Sequence, residues 1–361
     1  MRTYRLGGDD ERGPSAVAVV SAAVLTGTGS ALPAVVHQDA MWEGFFARHY
    51  AGVRAARRIF AGSGVTTRHA VANPVDEDLS GWGTGARMLR YVEEALPLGK
   101  QAVAGALDHA GLGPGEVGLF AVATCTGYAT PGLDIRLASD LGMPAGLQRL
   151  LIGHMGCYAA IPGLAAVSDF VAARSRPAVL LCCELTSLHV QPAQADLEQV
   201  VAHALFSDAA AAVVVEPAAG RGRRLAGVVA RTDPSTADHM TWDVTDLGFR
   251  MGLSPRVPEV LARHVGDVVD ELLAGAGLRT EDVGGWAVHP GGPRILDVVR
   301  DELGLAEEQL APSRRVLAEH GNCSSATVLL VLQELAAADG PVVAMAFGPG
   351  LTLYAALLLP A

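Results

Sequence analysis

Three residues able to do chemistry stand at similar places in this chain: Cys157, His289 and Asn322 each follow an apolar run and precede a helix-like stretch. Cys157 sits in Gly153-His-Met-Gly-Cys-Tyr-Ala-Ala160, just after Gly156 and at the opening of an Ala-rich segment. A thiol at a helix N-terminus meets free N–H groups and a partial positive charge, which favour the thiolate. A cysteine among Ala and Gly also fits a small core position. His289 ends the run Trp286-Ala-Val-His and is followed by Pro-Gly-Gly-Pro293. That rigid turn holds an imidazole at a strand end, where α/β folds gather ligand groups. Asn322, in Glu319-His-Gly-Asn-Cys-Ser-Ser-Ala326, is equally a natural N-cap. Together, thiol, imidazole and amide suit nucleophilic acyl chemistry. The imidazole can pair with the thiolate, and its N–H with the amide can hold an oxyanion. A papain-like hydrolase uses the same trio, so these residues alone leave the reaction open.

The elements that must position them follow from periodicity. Strands are expected at Ala16–Leu25, Val117–Thr124, Ala178–Cys183, Ala210–Val215, Leu225–Arg231, Trp286–His289, Val342–Phe347 and Thr352–Leu358. Helices are expected at Leu98–Ala110, Ala159–Ala173, Val257–Ala276, Pro293–Leu303 and Ser325–Ala338. Alternation of this kind indicates an α/β layered body. Ala159–Ala173 and Ser325–Leu335 lack a polar face, so each is buried between sheets. Two such helices point to a five-layer αβαβα sandwich of two pseudo-duplicated halves. A seam falls near Pro217–Arg224, dividing residues 15–220, which carry the cysteine, from 221–361, which carry the histidine and asparagine; residues 1–14 read as a flexible tail.

Composition narrows the partners. The 361 residues are 50% hydrophobic and 18% charged, enough apolar material for a large core, and the formal charge is −11. Nucleic acid is therefore not the expected partner, since phosphate binding needs clustered Lys and Arg. Arg54, Arg57, Arg58 and Arg68 form the one local cluster, and a solvated helix face accounts for it. The apolar stretch Ala16–Val36 is interrupted by Thr, Gly and Pro and fits neither a membrane span nor a signal peptide. Five cysteines with no regular framework read as reduced and intracellular, so a cytoplasmic protein is expected. With no CxxC pair and no HExxH, no metal site is expected.

The motifs also carry a resemblance. Cys125-Thr-Gly-Tyr-Ala-Thr-Pro-Gly132, the Met-Gly-Cys157 turn, Cys183-Glu-Leu-Thr-Ser187, Ala204-Leu-Phe-Ser-Asp208, His289-Pro-Gly-Gly-Pro293, Gly321-Asn-Cys-Ser-Ser325 and Phe347-Gly-Pro-Gly350 occur in this order. From about Leu25 to Leu359 the chain thus resembles the chalcone synthase superfamily, the type III polyketide synthases of the thiolase fold, and looks nearest to bacterial alkylpyrone-type members.

The resemblance implies an acyl-carrying nucleophile at Cys157, a catalytic imidazole at His289 and its oxyanion partner at Asn322. Phe206 and Phe249 match the two gatekeeper aromatics between a coenzyme A tunnel and the cavity. Cys125, Thr130, His189, Met240 and Ser324 match the cavity wall, with His189 either bonding a substrate oxygen or narrowing the pocket. Arg58 and Gly292 match coenzyme A contacts, which gives part of the arginine cluster a diphosphate to hold. Other basic contacts of plant members appear here as Ala55 and Gly62, and Ala346 and Ser207 replace family glycines. The implied activity is loading of an acyl-CoA starter and iterative decarboxylative condensation with malonyl-CoA, followed by ring closure to a pyrone or phenol. It implies a homodimer, no metal and no redox cofactor. A ketoacyl-ACP synthase III-like enzyme shares the trio but condenses once, and the Phe347-Gly-Pro-Gly350 end and Phe206 count against it. A catalytically silent thiolase-fold subunit typically lacks the nucleophile, whereas Cys157 is present.

Overall fold

The computed structural model describes residues 23–361. The expected tail at 1–14 and the start of the Ala16–Leu25 strand lie outside the described residues; from Ala23 that strand runs on to Ala31. Nine strands pair in the order Gly285–Val288, Val342–Gly348, Thr352–Pro360, Arg223–Thr232, Ala23–Ala31, Asp208–Pro217, Ala178–Leu185, Leu119–Ala123 and Gln148–Ile152. Among the described residues, the first four join the other five through Val24 with Arg224 and Leu25 with Arg223 alone, so two sheets meet at one short seam. A common pattern of directions recurs on the two sides. Leu119–Ala123 runs parallel to Ala178–Leu185, which is antiparallel to Asp208–Pro217, itself antiparallel to Ala23–Ala31. Gly285–Val288, Val342–Gly348, Thr352–Pro360 and Arg223–Thr232 repeat the sequence parallel, antiparallel, antiparallel.

The layers follow from the two-residue period of the strands, which sends alternate side chains to opposite faces. Ala121, Ala123, Leu180, Cys182, Ala209 and Ala211 of one sheet face Ala287, Ala344, Ala346 and Ala356 of the other across a shared core. Between them lie two helices, Ala160–Arg174 and Thr327–Glu334. Small side chains on both inner faces let two helices fit in one layer. The larger residues Phe120, Val122 and Leu181 point outward to the long Thr84–Ala110 helix. Val343, Met345 and Phe347 point outward to Val257–Ala262, Val265–Ala274 and Pro293–Leu303. This is the expected five-layer αβαβα arrangement.

Several boundaries differ from the sequence expectation. The helix expected over Val257–Ala276 is two helices, and it breaks where Arg263 and His264 both turn to Asp233, at 3.5 and 3.1 Å. The helix expected at Leu98 begins at Thr84, with Pro97 inside it. The stretch expected as a helix from Ser325 to Ala338 is a 3₁₀ turn, Ser324–Ala326, followed by Thr327–Glu334. The edge strand Gln148–Ile152 and the hairpin Met240–Thr245/Gly248–Leu253 carry no alternating apolar pattern strong enough to read, and the hairpin matters to the site.

One helical stretch, Gly156–Arg174, has the length and composition of a membrane span, yet 61% of its apolar window is buried between the sheets. It is a core helix.

Candidate active site

Both inner helices are entered through a single 3₁₀ turn, Gly156–Tyr158 before one and Ser324–Ala326 before the other. The turns carry Cys157 and, two residues ahead of the second, Asn322. Gly156 has φ +68°, and a Cβ there would lie 2.8 Å from Cδ of Pro349. Only glycine fits that turn without strain. The Phe347-Gly-Pro-Gly350 motif is thus the surface on which the Met-Gly-Cys turn rests, and a Cβ on Gly348 would come 3.3 Å from the Cys157 N–H nitrogen.

Cys157, His289 and Asn322 line one cavity of about 760 Å³, together with Phe206, Met240, Gly292 and Phe347. Its inner end is buried: Cys157 is 6% exposed, His289 1% and Asn322 3%. Its outer end reaches the exposed residues Ala195, Leu197, Pro255 and Arg294. His289 is anchored by its backbone N–H, which donates to the Met345 carbonyl at 2.8 Å, and its ring packs edge-on against Phe347 at 5.7 Å. Neither ring nitrogen has a partner among the described residues. Buried polar atoms are nearly always paired, so an imidazole with two open nitrogens facing a cavity is poised for a ligand. The Asn322 Oδ1 accepts the Ser324 N–H at 2.9 Å, which fixes the amide and leaves its NH₂ to the cavity. The Asn322 backbone is stitched to the end of the Leu197–Leu205 helix: its N–H donates to Leu205 C=O at 2.8 Å and its C=O accepts the Ser207 N–H at 3.0 Å. Phe206 and Asn322 are therefore held as one bridge across the cavity wall.

Burial pushes the Cys157 thiol up to about 12, with a hydrogen bond from Ser324 opposing the rise, and takes His289 down to about 3. A lone thiolate or a lone imidazolium is disfavoured here by desolvation. Proton transfer from one to the other leaves the pair neutral overall, so it is the route by which this pocket can form a thiolate.

The remaining residues singled out from sequence fall in other places. Cys125 Sγ lies 3.6 Å from Ser324 Oγ, beside the Cys157 turn but outside the cavity lining. Phe249 and His189 line a separate pocket of about 50 Å³, which shares Phe206 and Met251 with the large cavity. His189 stacks on Phe249 at 4.6 Å and 10°. Its Nε2–H donates to Thr126 C=O at 2.7 Å and its Nδ1 accepts the Phe249 N–H at 2.9 Å. Both nitrogens are therefore committed to backbone, and burial lowers the imidazole to about 4. Of the two roles open to His189 from sequence, bonding a substrate oxygen is the one this geometry disfavours; the ring holds Phe249 instead. Thr130 is exposed, its hydroxyl 3.4 Å from that of Tyr128, and does not line the cavity of its own chain. Arg58 is exposed on the Ala56–Ala61 helix, next to Ile59, which lines the cavity.

The arginine cluster does not form one solvated face. Arg57 pairs with Asp39 at 3.3 Å and lies over Trp42. Arg68 is buried, donating to the carbonyls of His203, Ala204 and Phe206 at 2.7 to 2.9 Å and to Gln38. It clamps the C-terminal turn that presents Phe206. Sequence reading missed this clamp and two further groups. Trp242 donates its indole N–H to Cys125 C=O at 2.7 Å and faces Phe206, Phe249 and His189. Glu184, fully buried, accepts from the Cys125 N–H, Thr126 Oγ1 and Ser325 Oγ at 3.0, 2.8 and 2.6 Å. A carboxylate inside the otherwise apolar Ala178–Leu185 strand was the available signal for Glu184. Among the described residues no cluster of three His, Cys, Asp or Glu could hold a metal.

A buried thiol, imidazole and amide on one deep cavity, carried by a duplicated five-layer sandwich, define a condensing enzyme of the thiolase fold. Residues 11–219 match the N-terminal domain of chalcone and stilbene synthases and residues 227–360 match the C-terminal domain. The chain belongs to the chalcone and stilbene synthase family, the type III polyketide synthases. It is 38% identical over 306 residues to a 1,3,6,8-tetrahydroxynaphthalene synthase of Streptomyces peucetius subsp. caesius, covering 81% of this chain and 80% of that one. It is 33% identical over 318 residues to the alpha-pyrone synthesis polyketide synthase-like Pks18 of Mycobacterium tuberculosis, covering 82% and 80%. The crystal structure of the tetrahydroxynaphthalene synthase of Streptomyces coelicolor A3(2) superposes with a TM-score of 0.88 at 29% identity, over 93% of this chain and 99% of that one. PKS-I of the brown alga Ectocarpus siliculosus gives 0.90 at 27%, over 96% and 100%.

Proposed function

We propose that this enzyme takes an acyl group from a coenzyme A thioester onto Cys157 and extends it with malonyl units by iterative decarboxylative Claisen condensation. The observation that carries the reading is the shared cavity, whose lining holds the Cys157 thiol, an imidazole with two unpartnered nitrogens and the Asn322 amide. His289 takes the Cys157 proton, the thiolate attacks the thioester carbonyl, and the C–S bond to coenzyme A breaks. The departing thiolate recovers the proton from His289. Malonyl-CoA then loses carbon dioxide, and the electron pair of the broken C–C bond becomes an enolate. His289 N–H and Asn322 NH₂ donate to its oxygen as charge develops, a contact worth about 2.7–4 kcal/mol per donor in systems of this type. The enolate carbon attacks the Cys157 thioester, the sulfur leaves, and the lengthened chain returns to Cys157 for another round. Release follows ring closure to a pyrone or a phenol. Phe206, on the cavity wall, limits water that would hydrolyse the intermediate.

No group beyond the coenzyme A thioesters is needed for these steps. We read the chain as two halves divided near residue 220, acting as a homodimer in the cytoplasm, with Arg58 and Gly292 near the coenzyme A path.

The cavity wall also favours a class of starter. Val201, Leu205, Met240, Met251, Leu253 and Val257 are apolar, and alkyl chains gain about 0.8 kcal/mol per buried methylene. The test is incubation with malonyl-CoA and a series of linear acyl-CoAs beside coumaroyl-CoA, reading product masses and catalytic efficiencies. Efficiency should climb with chain length and then fall. A flat series, or preference for coumaroyl-CoA, would overturn the starter reading; a single β-ketoacyl product would overturn iteration. Cys157→Ala should abolish loading and extension with the fold intact, while some malonyl decarboxylation survives through His289 and Asn322.

A further inference from the structure

Arg87 is fully buried at the start of the Thr84–Ala110 helix. A cation there opposes the helix dipole, and burying an unpaired charge is costly. Among the described residues no carboxylate forms an ion pair with it, and Asp78 acts on it only at longer range. Burial lowers the guanidinium to about 10, so it is still a cation at neutral pH. All five of its N–H groups are spent on backbone carbonyls. Nε donates to Trp82 at 2.8 Å, Nη1 to Leu188 and, at 3.1 Å, to Val190, and Nη2 to Leu79 at 2.6 Å and Ser80 at 3.3 Å. The fork ties residues 79–82 to residues 188–190, a geometry that arginine alone among the side chains supplies.

The second of these segments holds an aromatic wall. Leu188 and Val190 flank His189, whose Nδ1 accepts the Phe249 N–H at 2.9 Å and whose ring stacks on Phe249. The turn of the Met240–Thr245/Gly248–Leu253 hairpin lies directly on Arg87: Gly248 has φ +92°, and a Cβ there would come 2.7 Å from Arg87 Cδ. Thr84 Oγ1 accepts the Gly248 N–H at 2.9 Å, and the Thr84 N–H donates to Asp246 C=O at 2.9 Å. From the other side Gln191 Nε2 donates to the carbonyls of Leu247 and Phe249 at 3.2 and 3.0 Å. The same hairpin carries Trp242, which faces Phe206, and Met240, Met251 and Leu253, which line the cavity.

We infer that Arg87 is a positioning residue that sets chain length: by fixing His189 and the turn of the hairpin, it decides where Phe249 and Trp242 stand and how much room is left for the growing chain. It touches no substrate. The inference rests on the iterative reading of the cavity, and the experiment separates the two.

The variants are Arg87→Lys, which keeps the charge but not the fork, and Gln191→Met, which removes the hold on the turn from the opposite side. Val103→Ala, buried about 24 Å further along the same helix at its rise per residue, controls for lost stability alone. Hydrogen exchange read by mass reports the hairpin, acylation of Cys157 reports loading, and product masses from malonyl-CoA with one linear acyl-CoA report chain length. In Arg87→Lys, exchange at residues 245–249 should quicken by about tenfold, from the loss of hydrogen bonds to a charged group. Loading of Cys157 should stay within about twofold of wild type, since none of these bonds reaches its turn. Products should spread to chains one malonyl unit longer and shorter, with the main wild-type product falling by about half as the wall loosens. Gln191→Met should act in the same direction, and Val103→Ala should melt earlier with the wild-type products. A folded Arg87→Lys with the wild-type products, or a Val103→Ala control that spreads them equally, would overturn the inference. Should Arg87→Lys not fold, Gln191→Met decides by the same readouts. Wild-type protein that stops after one condensation would overturn the iterative reading, and exchange at the hairpin would then decide the clamp alone.

Discussion

Cys157 and His289 are each desolvated by burial, so neither ionises readily by itself, and on the proposed mechanism the reactivity of the thiol depends on the imidazole. His289→Gln removes the proton acceptor and leaves a thiol that burial pushes up to about 12. Alkylation of Cys157 by iodoacetamide at pH 7 should slow at least tenfold in that variant, with the other buried cysteines as internal references in the peptide map. Equal labelling rates would show that the turn at the helix start activates Cys157 without His289. His189 illustrates the opposite case. Its two nitrogens are spent on the backbone of Thr126 and Phe249, and its ring stacks on Phe249.

At the scale of elements, the site is made by helix entrances. The Met-Gly-Cys turn needs the left-handed backbone of Gly156 and the flat face of Pro349 against it. Gly156→Ala should destabilise the fold by about 1–2 kcal/mol from the backbone alone, more if Pro349 cannot retreat, and should slow acyl loading although Cys157 remains. Thermal melts beside acylation assays check both, and a variant with wild-type melting and loading would contradict this account of the turn. The Leu197–Leu205 helix end is fixed in a comparable way, by Arg68 on its last carbonyls and by Asn322 bridged to Leu205 and Ser207. The positions of Phe206 and Asn322 are thereby linked.

For the whole molecule, the outer edge of the N-terminal sheet is unusual. Among the described residues the Gln148–Ile152 strand pairs on one side, and Leu150 and Leu151 on it are exposed, as is Ile135 on the Leu133–Asp140 helix packed beside it. Bare apolar edges of this kind are covered in stable proteins. Sedimentation at micromolar concentration should give twice the chain mass of 37.3 kDa, and Leu151→Glu should shift the species toward the monomer. A wild-type monomer would remove the dimer reading.

Spacing and residue type alone determined a great deal. The two helices without a polar face pointed to inner layers because such helices lie between sheets and strand alternation is a local property, while the full αβαβα topology came with the resemblance to the thiolase fold. Cys157, His289 and Asn322 stood out because each lies at a junction marked by Gly or Pro, but their roles were implied only by the resemblance. Tertiary structure decided what depends on distant segments meeting. His189 could be assigned its backbone partners only once the Met240–Leu253 hairpin was folded over it, and that hairpin brought in Trp242 from a stretch with no readable strand pattern. Arg68 separated from its neighbours in the arginine cluster because the carbonyls that hold it come from residues 203–206. Short-range pattern records which face of an element is buried, whereas a side chain's partners are set by chain segments whose approach leaves no trace in the neighbouring sequence.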